Sequence, residues 1–321
     1  MSRLLFVLCL LAGCASQEKA LAPAGARPAN LQGAADQAAQ AVAVLNAAKA
    51  EAARYCAPFA TREISREEEH LVGTKLAAAL VGKVGPLSLD VGREGGAKNE
   101  RAAWLAVVGR NLARTSPRPS LPWTFGVVES ATPDSFSAPG GFVFVTTGLL
   151  AALDNEAQLA GFLSHEIAHV VAKDDLGEWK RSTQTVCEVA HTSKVVLATP
   201  GLQLDPQSAR FADAFGPNGQ LDLSHPEDLP WLAQTLSMTR TLGRERNAEL
   251  AADALAARLV AFSGYDLEQY ERALKALPAF AKHPSTDERV AALERLRKGE
   301  LAPFAGRARP PIGRYTQGLE K

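Results

Sequence analysis

Leu163 to Asp175 read LSHEIAHVVAKDD, which sets His165 and His169 four residues apart with Glu166 beside the first. Leu159, Phe162, Leu163, Ile167 and Val170 recur at helical spacing around it, so a helix is predicted from about Asn155 to Ala172. Residues at i and i+4 share a helix face, and both imidazoles can therefore address one ion. Glu166 is rotated off that face but stays close enough to hold a water. This is the H-E-x-x-H arrangement, in which zinc lowers the pKa of its water towards ~7 and the glutamate takes the proton during attack on a carbonyl. The alternative is a helix that has merely collected two histidines. A third ligand separates these readings.

A catalytic zinc needs three protein ligands, so the site predicts a second helix with an acid facing inward. RERNAELAADALAARL, from Arg244 to Leu259, supplies one. Glu249 and Asp253 share a face there: Glu249 is expected to ligate the metal, and Asp253 to accept the outer N–H of a ligand histidine. Ala248, Ala251, Ala252 and Ala254 allow close approach of the two helices. Arg246 either orients Glu249 or faces solvent.

SHEIAHV and ERNAELAADALAARL together resemble the HtpX-like and periplasmic members of peptidase family M48, which are gluzincins with H-E-x-x-H followed by E-x-x-A-D. HLVGTKLAAAL, VVGRNLA, APGGFVFVTTGLLAAL, NEAQLAGFLSHEIAHV, SGYD and HPSTDERVAAL follow in the family's order over roughly residues 62 to 297. The resemblance implies a mainly helical α+β domain, zincin-like, with a small sheet beside the active-site helix. It implies one zinc per chain, held by His165, His169 and Glu249, with Glu166 as base and protein or peptide substrates. An edge strand, Gly141 to Thr146 with Phe142, Val143 and Phe144, would pair with an extended substrate; the same run also reads simply as a core strand, and both can hold together. His283 is open to three readings: a removable fourth ligand, an oxyanion group, or part of the helix start at Ser285 and Thr286. The chain departs from the family pattern at Asp134-Ser135-Phe136, where Asn-Ala-Phe is frequent, and near Asp174, where a further histidine is frequent. The latter departure puts only local packing in question.

Outward from this core, ISREEEHLVGTKLAAALVG from Ile64 and NERAAWLAVVGRNLAR predict helices, and LPWTFGVVES and GGFVFVTTGLL predict strands. Lys173 to about Thr241 reads as a longer mixed region with a loop-like centre. Further helices are expected from about Arg244 to Phe262 and on either side of AKHPSTDERVAALERL.

The start, MSRLLFVLCLLAGC, has Arg3, an apolar run and small residues before Cys14, as a secretory signal does. The run is shorter than the ~20 residues that cross a bilayer. Leu11 to Cys14 resembles a lipobox, which makes Cys14 the lipidated first residue; Ala15 after it points to the outer membrane facing the periplasm. The expected organisation is a signal peptide over 1–13, a tether with a lead-in helix over 14–55, the zinc metallopeptidase over 56–300 and a tail over 301–321. Cys56 and Cys187 form one disulfide or stay separate buried thiols.

The 321 residues carry 35 basic and 35 acidic side chains and are 46% hydrophobic. A sizeable core is affordable, and no basic field exists to hold nucleic acid. The expected function is a lipid-anchored periplasmic zinc endopeptidase, and the family resemblance further implies quality control of envelope or outer-membrane proteins, with unfolded envelope proteins as substrates. The rival is a non-hydrolytic, chaperone-like assembly factor using the same groove.

Overall fold

The computed structural model describes residues 31–89, 100–197, 244–278 and 283–305. Cys14, the signal, the tether before residue 31, the whole of 198–243 and the end of the tail lie outside them. The chain divides into two compact units, one of Met1–Arg62 with Thr183–Ser224, the other of Glu63–Ser182 with His225–Lys321.

In the first unit α1 (Leu31–Thr61) presents Ala48, Ala52, Cys56 and Phe59 as one buried stripe at helical spacing. Cys56 is bonded to Cys187, with the two Cα atoms 5.8 Å apart. The disulfide reading of the two cysteines is therefore the one the fold adopts. Phe59 packs beside the bridge, with Tyr55, Val186 and Ala190 around it.

The second unit holds the site. α2 (Arg66–Val84) starts at Ser65, whose hydroxyl accepts from the Glu68 N–H in a Ser-x-x-Glu cap. α3 (Glu100–Arg114) buries Trp104, Leu105, Val108 and Leu112. The sheet comprises β1 (Leu87–Leu89), β2 (Thr124–Val128), β3 (Ser135–Ala138) and β4 (Phe142–Thr146), in the order β1-β2-β4-β3. β2 and β4 run parallel, and the two outer pairs are antiparallel.

This order corrects the expected edge strand. Phe142 to Thr146 lies inside the sheet, between β2 and β3, and Gly141 belongs to the turn before it. Gly140 and Gly141 have φ of 79° and 104°, values that glycine adopts without strain, and they fold the chain back so that Ser135–Ala138 takes the edge. The run FVFVT is buried almost throughout rather than on alternate residues, as suits an interior strand. β3 is four residues long, with Asp134 before it and Pro139 after it, and shows too little alternation to be predicted from the sequence.

α4 (Thr147–Ala152) leads into α5 (Glu156–Ala172), capped by Asn155 and closed by Lys173 in the left-handed conformation. α6 (Asp174–Leu197) follows at once, so the start of the supposed mixed region is a long helix. α7 (Arg246–Phe262), α8 (Leu267–Ala276) and α9 (Thr286–Lys298) complete the helices, with a 3-10 turn at Ala302–Phe304. α5 packs most extensively on α7, then on α8, α3 and β3. Leu105, Leu112, Phe125, Val143, Leu163 and Leu259 are among the core between them. Each such side chain contributes about 1.5–3 kcal/mol by leaving water, which makes α5 a rigid platform. Among the described residues no helix is long and apolar enough to cross a membrane.

Candidate metal centre and active site

α5 is apolar nearly all round, and His165, Glu166 and His169 are each 1–2% exposed. Burying three such groups is costly unless partners satisfy them. α7 supplies those partners, since Ala252 and Ala256 bring its backbone close and Glu249 and Asp253 face inward, both 1% exposed.

The imidazoles are oriented from outside. His165 Nδ1 meets Asp253 Oδ1 at 2.9 Å, and His169 Nδ1 meets Asp174 Oδ2 at 2.7 Å. With each Nδ1–H donated to a carboxylate, both Nε2 atoms are left as lone pairs, and these face each other at 3.0 Å. His165 Nε2 is 3.3 Å and His283 Nε2 3.2 Å from Glu249 Oε2, and His169 Nε2 is 3.7 Å from Glu249 Oε1. The donor atoms of His165, Glu249 and His283 all lie within 4.8 Å of one another. Glu249 Oε2 is buried and, among the described residues, accepts no hydrogen bond. In the neutral rings the Nε2 lone pairs converge around a carboxylate oxygen, and they repel one another unless a proton on His165 or a metal cation sits among them. The nitrogen and oxygen donors match those that zinc takes.

Burial opposes charge on His165, yet the Asp253 carboxylate, with Glu249, outweighs it and lifts the ring to about 9. Burial resists ionisation of Glu249 and Asp253, but the histidines, and for Asp253 also Arg289, hold both well below the usual carboxylate range. Burial holds His283 down to about 4, so it is a neutral imidazole at neutral pH.

Arg246 and His283 each have more than one reading from the sequence, which gives Asp174 no role at the centre. Arg246 turns to solvent, 64% exposed, and pairs with Glu288, so it does not orient Glu249. A residue at the first position of α7 lies on its outer face, and Arg244, before the helix, fills that place instead. It bonds Asp175 at 3.0 Å and lies 3.9 Å from Glu249. The start of α9 is capped by Ser285, whose hydroxyl accepts from the Glu288 N–H, and His283 turns its Nε2 to within 3.2 Å of Glu249 Oε2. Asp174, expected to affect only packing, holds His169.

Sequence reasoning missed Arg289, Tyr270 and the two serines of β3. Arg289 donates to both Asp253 oxygens and, at 3.0 Å, to the Tyr270 hydroxyl. Its signal was present, because Arg289 adjoins Val290 and precedes Leu293 on the buried face of α9. Ser135 and Ser137 donate to Glu166 Oε1 at 3.1 Å and Oε2 at 2.8 Å.

A protein-family model described as Peptidase family M48 matches residues 99–297. The chain is 32% identical over 114 residues to the mitochondrial metalloendopeptidase OMA1 of Schizosaccharomyces pombe, covering 35% of this chain and 32% of that protein. It is 23% identical over 198 residues to a Vibrio cholerae protein named "Putative beta-barrel assembly-enhancing protease", covering 57% and 36% respectively. Over 67 residues it is 40% identical to the mitochondrial metalloendopeptidase OMA1 of Danio rerio, covering 21% and 13%. The chain thus matches little more than a third of the length of any of these relatives. The family match takes in every residue of the buried centre, from Ser135 to Arg289; the chain belongs to peptidase family M48 and its fold is that of a zincin-like metallopeptidase domain.

Proposed function

We propose that the chain is a zinc-dependent endopeptidase, lipid-anchored through Cys14 at the outer membrane, facing the periplasm and acting on unfolded envelope proteins. The observation that carries the peptidase reading is the convergence of His165, His169 and Glu249 beside Glu166 in one buried centre. The lipobox-like Leu11 to Cys14 supports the anchor, the Cys56–Cys187 bridge fits an oxidising compartment, and the name of the Vibrio cholerae relative fits an envelope role.

A bound zinc ion supplies Lewis-acid polarisation of the scissile carbonyl and eases ionisation of the attacking water. Glu166 accepts the water's proton on a carboxylate oxygen as the C–O bond forms, then gives it to the departing nitrogen as the C–N bond breaks. The products are one carboxylic acid and one amine, with the water's atoms divided between them. Asp253 and Asp174 keep the two rings in the tautomer that offers Nε2. The outer edge of β3, the last strand in the sheet order, would take an extended substrate as an added strand. His283 is a fourth donor that must withdraw for turnover, so His283→Ala should hydrolyse faster than the parent.

The test is unfolded casein with the purified mature protein, with and without chelator. Hydrolysis should need zinc and fall about a hundred- to ten-thousand-fold in Glu166→Gln at unchanged zinc content. Full biological activity in Glu166→Gln would favour the chaperone-like reading.

A further inference from the structure

β3 meets α5 through two side chains, and both go to the same acceptor. Residues at i and i+2 on a strand face the same way, so Ser135 and Ser137 point together at α5 while Phe136 turns away and packs on Phe144, ring centres 5.3 Å apart. Ser135 reaches Glu166 Oε1 and Ser137 reaches Oε2. Ser137 is fully buried and Glu166 is 2% exposed. Ser135 lines the cavity that also contains Glu166, His165 and His283, and Ser137 stands behind it.

A glutamate side chain has free rotation about its last carbon–carbon bond, and one hydrogen bond leaves the carboxylate plane able to swing. Two hydroxyls, one on each oxygen and both on a single strand, fix that plane. Alanine at these positions would fill nearly the same space without a polar group to satisfy in a dry site, so packing alone gives no reason for two hydroxyls here.

We propose that Ser135 and Ser137 are positioning residues that hold the carboxylate of Glu166 in the plane from which it takes the proton of the attacking water. This rests on the reading of Glu166 as the base. The edge strand thereby has two faces of use: its backbone edge for an extended substrate, and its side chains for the base.

The test compares Ser135→Ala, Ser137→Ala and the double variant with Ser135→Thr, which keeps a hydroxyl on a residue suited to a strand. Zinc content and thermal midpoint are measured beside the kinetics. The expected result is a roughly ten- to hundredfold fall in kcat for the double variant, with KM and zinc content unchanged and the midpoint lowered but still well above the assay temperature, and recovery in Ser135→Thr over Ser135→Ala. In a Glu166→Gln background the serine changes should add no further loss, because they act through the carboxylate. A double variant with parental kcat overturns the proposal, as does a loss that follows zinc content or unfolding at the assay temperature, or one that persists in full without the carboxylate. If Glu166→Gln itself keeps its activity, the base assignment fails instead, which is a separate result.

Discussion

Arg289 lays Nε and one Nη on the two oxygens of Asp253, both at 2.8 Å, and neither side chain is more than 4% exposed. Asp253 in turn holds His165, and the Tyr270 hydroxyl donates to Asp253 at 3.3 Å. An arginine from α9 thus reaches the metal centre through two intermediaries. Gly161 makes room for this arrangement, since a Cβ there would lie 2.2 Å from the Tyr270 ring.

Arg289→Met should leave Asp253 as a buried, unpaired carboxylate and lower stability by about 3–5 kcal/mol. Asp253→Asn should weaken zinc about 10- to 100-fold, because the amide cannot hold the His165 tautomer as firmly. Denaturant titration and competition with a chromophoric chelator measure the two effects. Unchanged zinc affinity in Asp253→Asn would remove its orienting role.

Asp174 does for His169 what Asp253 does for His165, but its side chain is 21% exposed and, among the described residues, pairs with no arginine. Asp174→Ala should therefore weaken zinc about tenfold, at the lower end of the range for such partners. The same chelator competition reads it. A loss larger than in Asp253→Asn would reverse the ranking.

Zinc binding should release a proton from His165. With the ring lifted to about 9, a metal-free centre carries that proton at neutral pH, so zinc affinity should rise about tenfold per pH unit up to about 9. His283 is already neutral there and adds no proton. The sign for the metal-free fold is opposite. A folded pKa above the unfolded ~6.5 stabilises fully below about pH 6.5, and that share is lost as pH rises to about 9. Chelator competition and thermal melts at about pH 6.5, 7.5 and 8.5 test both slopes, and a flat zinc affinity would contradict the first.

Glu69 and Arg118 tie three elements that frame the site. Arg118 grips both Glu69 oxygens at 2.9 and 2.7 Å and donates to the Val170 carbonyl at 3.1 Å, and the Gly140 N–H meets Glu69 at 3.2 Å. Glu69 is 1% exposed, so Glu69→Ala should cost about 3–5 kcal/mol by stranding the arginine. Urea unfolding measures this, and a change below about 1 kcal/mol would contradict it.

The spacing of His165, Glu166, His169, Glu249 and Asp253 was legible along the chain because helical periodicity is local: i and i+4 share a face wherever the helix lies. The helices themselves were legible for the same reason, as were the strands around Phe125 and Phe144. Sheet order was not. Whether Phe142–Thr146 or Ser135–Ala138 takes the edge depends on how the Pro139-Gly140-Gly141 turn folds one strand against the other, and pairing partners are non-local. Only the tertiary structure decided that Arg246 leaves for solvent while Arg244 and Arg289 come in, that Asp174 turns back onto His169 past the left-handed Lys173, and that two serines meet Glu166. Each of these depends on the direction of a long side chain or the path of a turn, which neighbours distant in sequence fix once the core has packed.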